Sequence, residues 1–245
     1  MIKAYAKSDV GRARELNEDS FYITEDQFSD IQLFILADGM GGCNAGEVAS
    51  SEAINCAKKY IENNFANTPK NKESLLNLIR SSIEYANMIV YENSLKNKNL
   101  EGMGTTLEVC LIYNNRAYIG HIGDSRIYRI RNNFMRKLTQ DHSYVQKLVQ
   151  EGTITKEEAE HHEKKNILMK ALGCNAYAEA DVMVKGFQKG DILIICSDGL
   201  TNMVNNEDIY KAVNGNFEFA TRELIDLANQ NGGIDNITII TIRNL

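Results

Sequence analysis

Two pairs of adjacent asparagines separate short apolar segments, and they restrict the fold more than any other feature of the sequence. Each pair divides two segments rich in β-branched and aromatic residues: Asn114-Asn115 lies between 105–113 and 117–122, and Asn132-Asn133 between 125–130 and 134–138. Two-residue polar loops of this kind are typical of β-hairpins. Because consecutive hairpins pair antiparallel, the chain is predicted to form antiparallel sheets rather than a βαβ fold.

Long helices are predicted before the hairpins. Apolar residues recur at intervals of three and four in 46–65, and a second segment of this type covers 73–95. Asn44 and Glu47 have the spacing of an N-cap and its return partner. Other segments have the pattern of strands (2–8, 21–23, 31–37, 181–187, 191–196 and 236–242) or helices (206–213 and 217–230). This order predicts an α+β fold, a four-layer α-β-β-α sandwich of two mostly antiparallel sheets flanked by helices.

A polar segment at about 139–172 interrupts the strands. Short helices are predicted there at 143–151 and 155–162, and Thr155 and Glu158 have the spacing of a capping box. The segment is interpreted as a surface flap. Since the chain has one proline and no linker of biased composition, residues 1–245 are predicted to be a single domain that carries this flap.

Composition excludes several classes of partner. The formal net charge is −6, whereas nucleic acids and anionic membranes favour basic surfaces. No run approaches the length of a membrane span, so membrane insertion is not expected. The five cysteines form no CxxC motif, and the first nine residues lack the apolar core of a signal peptide. We therefore expect a cytoplasmic protein, and we expect it to be a monomer.

Four aspartates stand where an apolar run meets a turn: Asp38, Asp124, Asp198 and Asp235. If these runs are neighbouring strands, four carboxylates meet at one end of a sheet, and they can remain ionised together only if cations neutralise them. A single Asp-Gly pair is a common turn, but here the same context recurs. Glu18 lies in a further acidic pair. With oxygen ligands only and no EF-hand loop, Mg²⁺ or Mn²⁺ fits better than zinc or a structural calcium.

Such a site suits phosphoester hydrolysis. An aspartate that bridges two ions about 3.5–4 Å apart positions a water of lowered pKa, while the ions stabilise the attacking and leaving oxygens. Arg14, four residues before Glu18, could bind the phosphate through its guanidinium, although an arginine near acids is more often a salt-bridge partner.

The sequence resembles the bacterial PPM family, the protein phosphatase 2C-like metal-dependent serine/threonine phosphatases. The resemblance extends over the whole chain and rests on segments in the family's order: 8–20 (SDVGRARELNEDS), 37–42 (ADGMGG), 45–50 (AGEVAS), 103–106 (MGTT), 122–126 (IGDSR), 138–143 (LTQDHS), 171–173 (ALG), 196–200 (CSDGL) and 232–238 (GGIDNIT).

The resemblance implies a metal cleft at one end of the paired sheets, with Mn²⁺ or Mg²⁺ as two core ions and a weaker third ion. Hydrolysis would proceed by attack of a metal-bridging hydroxide. The implied roles are these: Asp38 bridges the core ions, Gly39 offers its carbonyl, Asp198 and Asp235 complete the second ion, Glu18 acts through water, Asp124 with Asp198 holds the third ion, and Arg14 binds the phosphate. The 103–106 turn supports the cleft. Expected partners are phosphorylated proteins and a cognate serine/threonine kinase.

One departure from the family leaves the proton donor open. Many relatives have a histidine in or just after the Asp-Gly-x-Gly-Gly segment, where this chain has Met40 and Cys43. A third-ion water could protonate the leaving alcohol, or a flap histidine (His142, His161 or His162) could, unless these are simply solvated. Two alternatives to the phosphatase remain: a catalytically weak phosphoprotein-binding regulator, and an enzyme of the anti-sigma regulator branch.

Overall fold

The computed structural model describes residues 1–26, 31–40 and 45–245. Its strands are β1 Ile2–Asp9, β2 Asp19–Ile23, β3 Gln32–Met40, β4 Gly104–Thr105, β5 Leu107–Tyr113, β6 Arg116–Ile122, β7 Arg126–Arg131, β8 Phe134–Lys137, β9 Asp181–Gly186, β10 Ile192–Cys196 and β11 Ile237–Asn244. Its helices are α1 Gly46–Phe65, α2 Lys72–Lys96, α3 Tyr144–Gln150, α4 Lys156–Glu160, α5 Asp198–Thr201, α6 Asn206–Gly215 and α7 Ala220–Gln230, with a 3₁₀ turn at Lys98–Leu100.

The strands form two antiparallel sheets. Sheet I has the strand order β1-β11-β10-β7-β8, and sheet II has the order β2-β3-β5-β6-β9, with β4 paired to β3. The asparagine pairs form the predicted hairpin loops. Their φ angles are 48° and 55° at Asn114 and Asn115, and 50° and 61° at Asn132 and Asn133. Positive φ at both central residues is the type I′ turn, whose twist matches that of the paired strands.

Helices α1 and α2 cover the outer face of sheet II. The apolar positions that predicted α1 are all buried: Ala49, Ala53, Ile54, Ala57, Ile61 and Phe65. The start of α1 differs from the prediction, because its N-cap is Ala45, which has a φ of 92° and no side-chain hydrogen bond. The predicted cap, Asn44, lies outside the described residues. By contrast, Asn71 caps α2 by accepting a 2.9 Å hydrogen bond from the Ser74 N–H.

Helices α6 and α7 cover the outer face of sheet I. A third apolar cluster fills the space between the sheets, and it includes Phe34, Leu36, Ile119, Leu193, Ile195 and Ile240. Face-to-face sheets with helices on both outer surfaces make four layers, so the predicted α-β-β-α sandwich is confirmed.

The four strand-end aspartates do not belong to one sheet. In sheet II, Asp38 lies on β3 and Asp124 follows β6. In sheet I, Asp198 follows β10 and Asp235 precedes β11. The condition that the four runs are neighbouring strands of one sheet is therefore not met. Each sheet contributes two, and the packing of one sheet on the other brings them together.

The segment 139–172 lies outside the strands and carries α3 and α4. The capping box at the start of α4 is present, since the side chains of Thr155 and Glu158 each bond the other residue's backbone N–H. Isolated bridges join Ser143 to Leu168 and Thr105 to Leu172, which closes the base of the segment. Among the helices of the described residues, none combines the length and apolar character needed to span a bilayer.

Candidate active site

Asp38 lies near the end of β3, directly opposite Asp19 on β2. Two consecutive threonines fix its backbone. The Asp38 N–H donates to Oγ1 of Thr106 at 3.0 Å, and the Asp38 carbonyl accepts from the Thr106 N–H and from Oγ1 of Thr105, both at 2.9 Å. The turn at 103–106 therefore supports the cleft, as predicted, by holding the backbone of Asp38.

Glu18 packs against two glycines at the same place. The Gly39 N–H donates to the Glu18 carbonyl at 3.1 Å. A Cβ added to Gly39 would lie 2.2 Å from the carbonyl oxygen of Gly46, and one added to Gly46 would lie 2.5 Å from Oε1 of Glu18. At Gly39 only glycine permits this close approach, because the contact is to backbone. The predicted ligands Glu18 and Gly39 are thus neighbours beside Asp38.

Asp198 is the first residue of α5, a one-turn helix that the sequence analysis did not predict. Asn202, one turn later, donates from Nδ2 to Oδ2 of Asp198 at 3.0 Å. The preceding residue, Ser197, donates from Oγ to Oδ2 of Asp19 at 2.8 Å. This bond between the two sheets places Asp198 next to the carboxylates of sheet II.

Asp235 and Arg14 form an ion pair, with 3.0 Å between Oδ2 and Nη2, and about half of the Arg14 side chain is exposed. The neighbouring Asn236 holds the loop that carries Arg14. Its Nδ2 donates to the carbonyls of Val10 and Leu16, both at 2.9 Å, and its Oδ1 accepts from the Glu18 N–H at 2.8 Å. Asn236 therefore sets the distance between Arg14 and the acidic cluster.

The carboxylates of the cluster oppose one another's ionisation. Burial raises the pKa of Asp38 well above its usual value, and the charges of Asp19, Asp198, Asp124 and Asp235 raise it further. Burial raises the pKa of Asp19 to about 7, and burial together with Asp198 raises that of Asp124 to about 8. The protein therefore concentrates negative charge that a bound cation would stabilise.

The donor set fits a hard divalent cation. Oδ1 of Asp19 is buried and, among the described residues, has no hydrogen-bond partner of normal geometry, so the cluster includes an unsatisfied oxygen. Among the residues that the structure describes, no three Asp, Glu, His or Cys side chains are arranged to hold a metal ion by themselves. Mg²⁺ and, by its similar oxygen preference, Mn²⁺ suit such a site, because they are commonly held by one or two carboxylates and keep several waters.

Comparison with known proteins agrees with this geometry. The family described as protein phosphatase 2C matches residues 11–232. The chain belongs to the protein phosphatase 2C family. A serine/threonine phosphatase of Listeria welshimeri is 40% identical over 249 residues, which cover 100% of this chain and 97% of the relative. The names of the matching relatives identify the chain as a serine/threonine phosphatase, and none of these names indicates a catalytically weak regulator.

Solved phosphatase structures share the fold. The serine/threonine phosphatase of Staphylococcus aureus superposes with a TM-score of 0.92 at 34% identity, covering 100% of this chain and 96% of that one. The catalytic domain of the phosphatase PstP, solved with two manganese ions, superposes with a TM-score of 0.85 at 35% identity, covering 99% and 97%. Metal dependence is thus a property of the family to which this phosphatase belongs.

The flap histidines of this phosphatase differ in their surroundings. His161 is exposed and His162 is partly exposed. His142 is only 10% exposed, and its ring stacks on the buried ring of His121 with 4.6 Å between centroids. For His142, the interpretation as a solvated flap residue is therefore wrong. Met40 is the last residue of β3, and Cys43 lies outside the described residues, so the environment of that position is not described.

Sequence reasoning gave no role to three residues that the structure places in the cluster or behind it. Asp19 appeared only as a second acid beside Glu18. Asn236 could have been found from its place between Asp235 and the last strand. Glu108, buried in β5 and bonded to Nδ1 of His121, had no sequence signal beyond an acid in an apolar strand.

Proposed function

We propose that this phosphatase hydrolyses phosphoserine and phosphothreonine in proteins with the help of Mn²⁺ or Mg²⁺ held by the acidic cluster. The observation that carries the proposal is the set of buried and partly buried carboxylates that the two sheets bring together, whose charges raise the pKa of Asp38. In this proposal Asp38 and the Gly39 carbonyl would hold the first core ion, and Asp38, Asp198 and Asp235 would hold the second. Glu18 contributes through water.

Bound divalent cations would supply positive charge at the cluster and lower the pKa of a water between them. Arg14 would orient the substrate. Its guanidinium uses one N–H for Asp235, which leaves other N–H groups of the fork for phosphate oxygens. Because half of the side chain is exposed, Arg14 can meet a phosphate group that enters from solvent.

Asp124 and Asp198 are proposed to share a third, weaker ion. The support is electrostatic, since Asp198 is the neighbouring charge that raises the pKa of Asp124 most, after burial. We further propose that the enzyme acts as a cytoplasmic monomer on phosphoproteins and opposes a serine/threonine kinase. The names of the relatives support phosphoprotein substrates, and the net charge of −6 disfavours nucleic acids and anionic membranes as partners.

The test is hydrolysis of a phosphothreonine peptide with added Mn²⁺, followed by excess chelator. Asp38→Asn should lower kcat/KM at least about 100-fold and weaken Mn²⁺ binding in calorimetry, because even residues behind metal ligands contribute about 10- to 100-fold. Asp226→Asn, an exposed change on α7, is the matched control. Turnover that persists in chelator, or an Asp38→Asn variant with normal turnover, would refute the proposal.

A further inference from the structure

The root of the flap is bonded residue by residue to the segment that carries Asp124. Four consecutive residues take part, and the contacts are these: Thr139 Oγ1 accepts from the Ile127 N–H at 3.0 Å, the Gln140 carbonyl accepts from His121 Nε2 at 2.8 Å, Asp141 Oδ2 accepts from Arg126 Nη2 at 2.8 Å, and the His142 N–H donates to the Gly123 carbonyl at 2.7 Å. Residues 139–142 therefore cannot shift without disturbing 121–127.

The contact between His142 and Gly123 consists of two hydrogen bonds. The Gly123 N–H also donates to Nδ1 of His142 at 3.2 Å, so both backbone polar groups of Gly123 bond to one residue. Gly123 has a φ of +115°, and a Cβ on it would lie 2.5 Å from Cβ of Thr106. The turn before Asp124 is thus confined between His142 and Thr106, which also bonds the Asp38 N–H.

The His142 ring is itself held in place. It stacks on His121 with an interplanar angle of 29°, and its Nε2 lies 3.4 Å from Oδ2 of Asp181. Behind it, the His121 ring is fixed by Glu108 on one nitrogen and by the Gln140 carbonyl on the other. A ring fixed on this many sides has one orientation.

The bonding also determines the tautomer of His142. Nδ1 accepts a hydrogen bond from a backbone N–H, so it carries a lone pair and the proton resides on Nε2. Nε2 faces Asp181, at the N-terminal end of β9. Burial, with the nearby charge of His121, lowers the pKa of His142, which agrees with a neutral ring. Neither nitrogen is thereby free to protonate a leaving alcohol.

We infer that His142 is a positioning residue, which fixes the Gly123 backbone and through it the direction of the Asp124 carboxylate, and that it is not the proton donor. The inference rests on the proposed role of Asp124 as an outer metal ligand. The His142 carbonyl also accepts from the Met169 N–H at 2.7 Å, so the returning side of the flap is anchored at this residue too.

Three variants separate positioning from proton transfer. His142→Ala removes the acceptor for the Gly123 N–H. His142→Asn retains it, because the Asn Oδ1 occupies the place of the imidazole Nδ1 but has no acid-base function. His161→Ala changes an exposed flap histidine and serves as the control.

Two measurements need no turnover: amide hydrogen exchange of Gly123 in the metal-free protein, and Mn²⁺ binding by calorimetry. We expect His142→Ala to accelerate Gly123 exchange and to weaken the lowest-affinity Mn²⁺ step about 10-fold, as for other residues behind metal ligands. His142→Asn should restore both toward the wild type, and His161→Ala should change neither.

Two outcomes would overturn the inference. One is His142→Ala with wild-type Gly123 exchange and Mn²⁺ binding. The other is His142→Asn that binds Mn²⁺ normally but loses as much turnover as His142→Ala, which would assign proton transfer to the ring. If the variants do not fold, ¹⁵N shifts of the wild-type His142 ring decide, since a proton on Nδ1 contradicts the geometry. Absence of metal-dependent turnover in the wild type would instead refute the proposed function and leave the exchange result intact.

Discussion

Asp19 and Asp38 lie directly opposite each other on β2 and β3, at the end of the sheet where the cluster forms; Asp19 is buried and Asp38 is partly buried. Two adjacent acids with little exposure to solvent would normally be avoided, because each disfavours ionisation of the other. Their pairing indicates that the cluster is arranged to bind a positive charge that the chain itself does not supply.

Without metal, the phosphatase should become less stable as the pH rises. Burial raises the pKa of Asp19 from 3.8 to about 7, so the folded state binds a proton more tightly than the unfolded state does. The stabilising contribution of this proton is therefore present below the unfolded pKa and is lost as the pH rises through the folded pKa. Each pH unit between the two pKa values corresponds to roughly 1.4 kcal/mol of stability.

Urea denaturation from about pH 5 to about pH 8 measures this effect. Saturating Mg²⁺ should remove most of the decline, because the ion rather than a proton then neutralises the cluster. Metal-free stability that rises over the same range would contradict the assignment.

Gly39→Ala should reduce both stability and turnover. The new Cβ would lie 2.2 Å from the Gly46 carbonyl oxygen and 2.5 Å from the Glu18 carbonyl oxygen, and both contacts are to backbone that cannot move aside. We expect a loss of about 1–3 kcal/mol, as for other overpacked sites. Gly215→Ala is the control, since a Cβ there meets no atom within 4 Å. Equal unfolding midpoints for the two variants would show that the backbone contact at Gly39 is not restrictive.

Arg14→Ala should act mainly on substrate affinity. Loss of charged hydrogen bonds of about 1.5–3 kcal/mol corresponds to a fall of about 10- to 100-fold in kcat/KM, most of it in KM. Arg80→Ala on α2, where the guanidinium bonds only Asn77 among the described residues, should match the wild type. Steady-state kinetics on a phosphopeptide measure the split. A KM equal to that of the wild type would show that Arg14 serves only as the ion-pair partner of Asp235.

Glu108→Ala should destabilise the fold by about 3–5 kcal/mol, as expected when one partner of a buried pair is removed. Burial lowers the pKa of His121 and Glu108 raises it, and the net effect is a raised pKa. The protonated form of the imidazole therefore depends on the Glu108 carboxylate. Glu108→Gln keeps an oxygen in reach of Nδ1 and should cost less. Chemical denaturation compares the two with Glu157→Ala, an exposed residue of α4. Equal losses for Ala and Gln would show that packing, not the hydrogen bond, dominates at this position.

Much of the fold could be predicted because it depends on local patterns. A type I′ turn requires positive φ at both central residues and asparagine tolerates it, so asparagine pairs flanked by apolar strands predict hairpin loops. The period of α1 places its apolar residues on one face, and those residues are the ones that sheet II buries. The one-turn helix α5 was not predicted, because four residues are too few to show a period.

The residues of the cluster could also be predicted, but their arrangement could not. Asp38, Asp124, Asp198 and Asp235 each stand at a recognisable boundary between strand and turn, and Arg14 and Glu18 belong to one short motif. Nothing in the local sequence shows that the aspartates come from two sheets. That depends on interlayer packing and on long-range bonds, such as Ser197 to Asp19 and Asn236 to Glu18.

The sequence by itself determined most of the elements, the family and the candidate acids, since these follow from periodicity, turn chemistry and motif order. The tertiary structure alone decided what surrounds each side chain. It placed His142, whose role the sequence left open, in a largely buried position where its ring holds Gly123, because contacts between 139–142 and 121–127 cover that face. It also set Asp19 against Asp38, a pairing fixed by strand register, which only the assembled sheet defines.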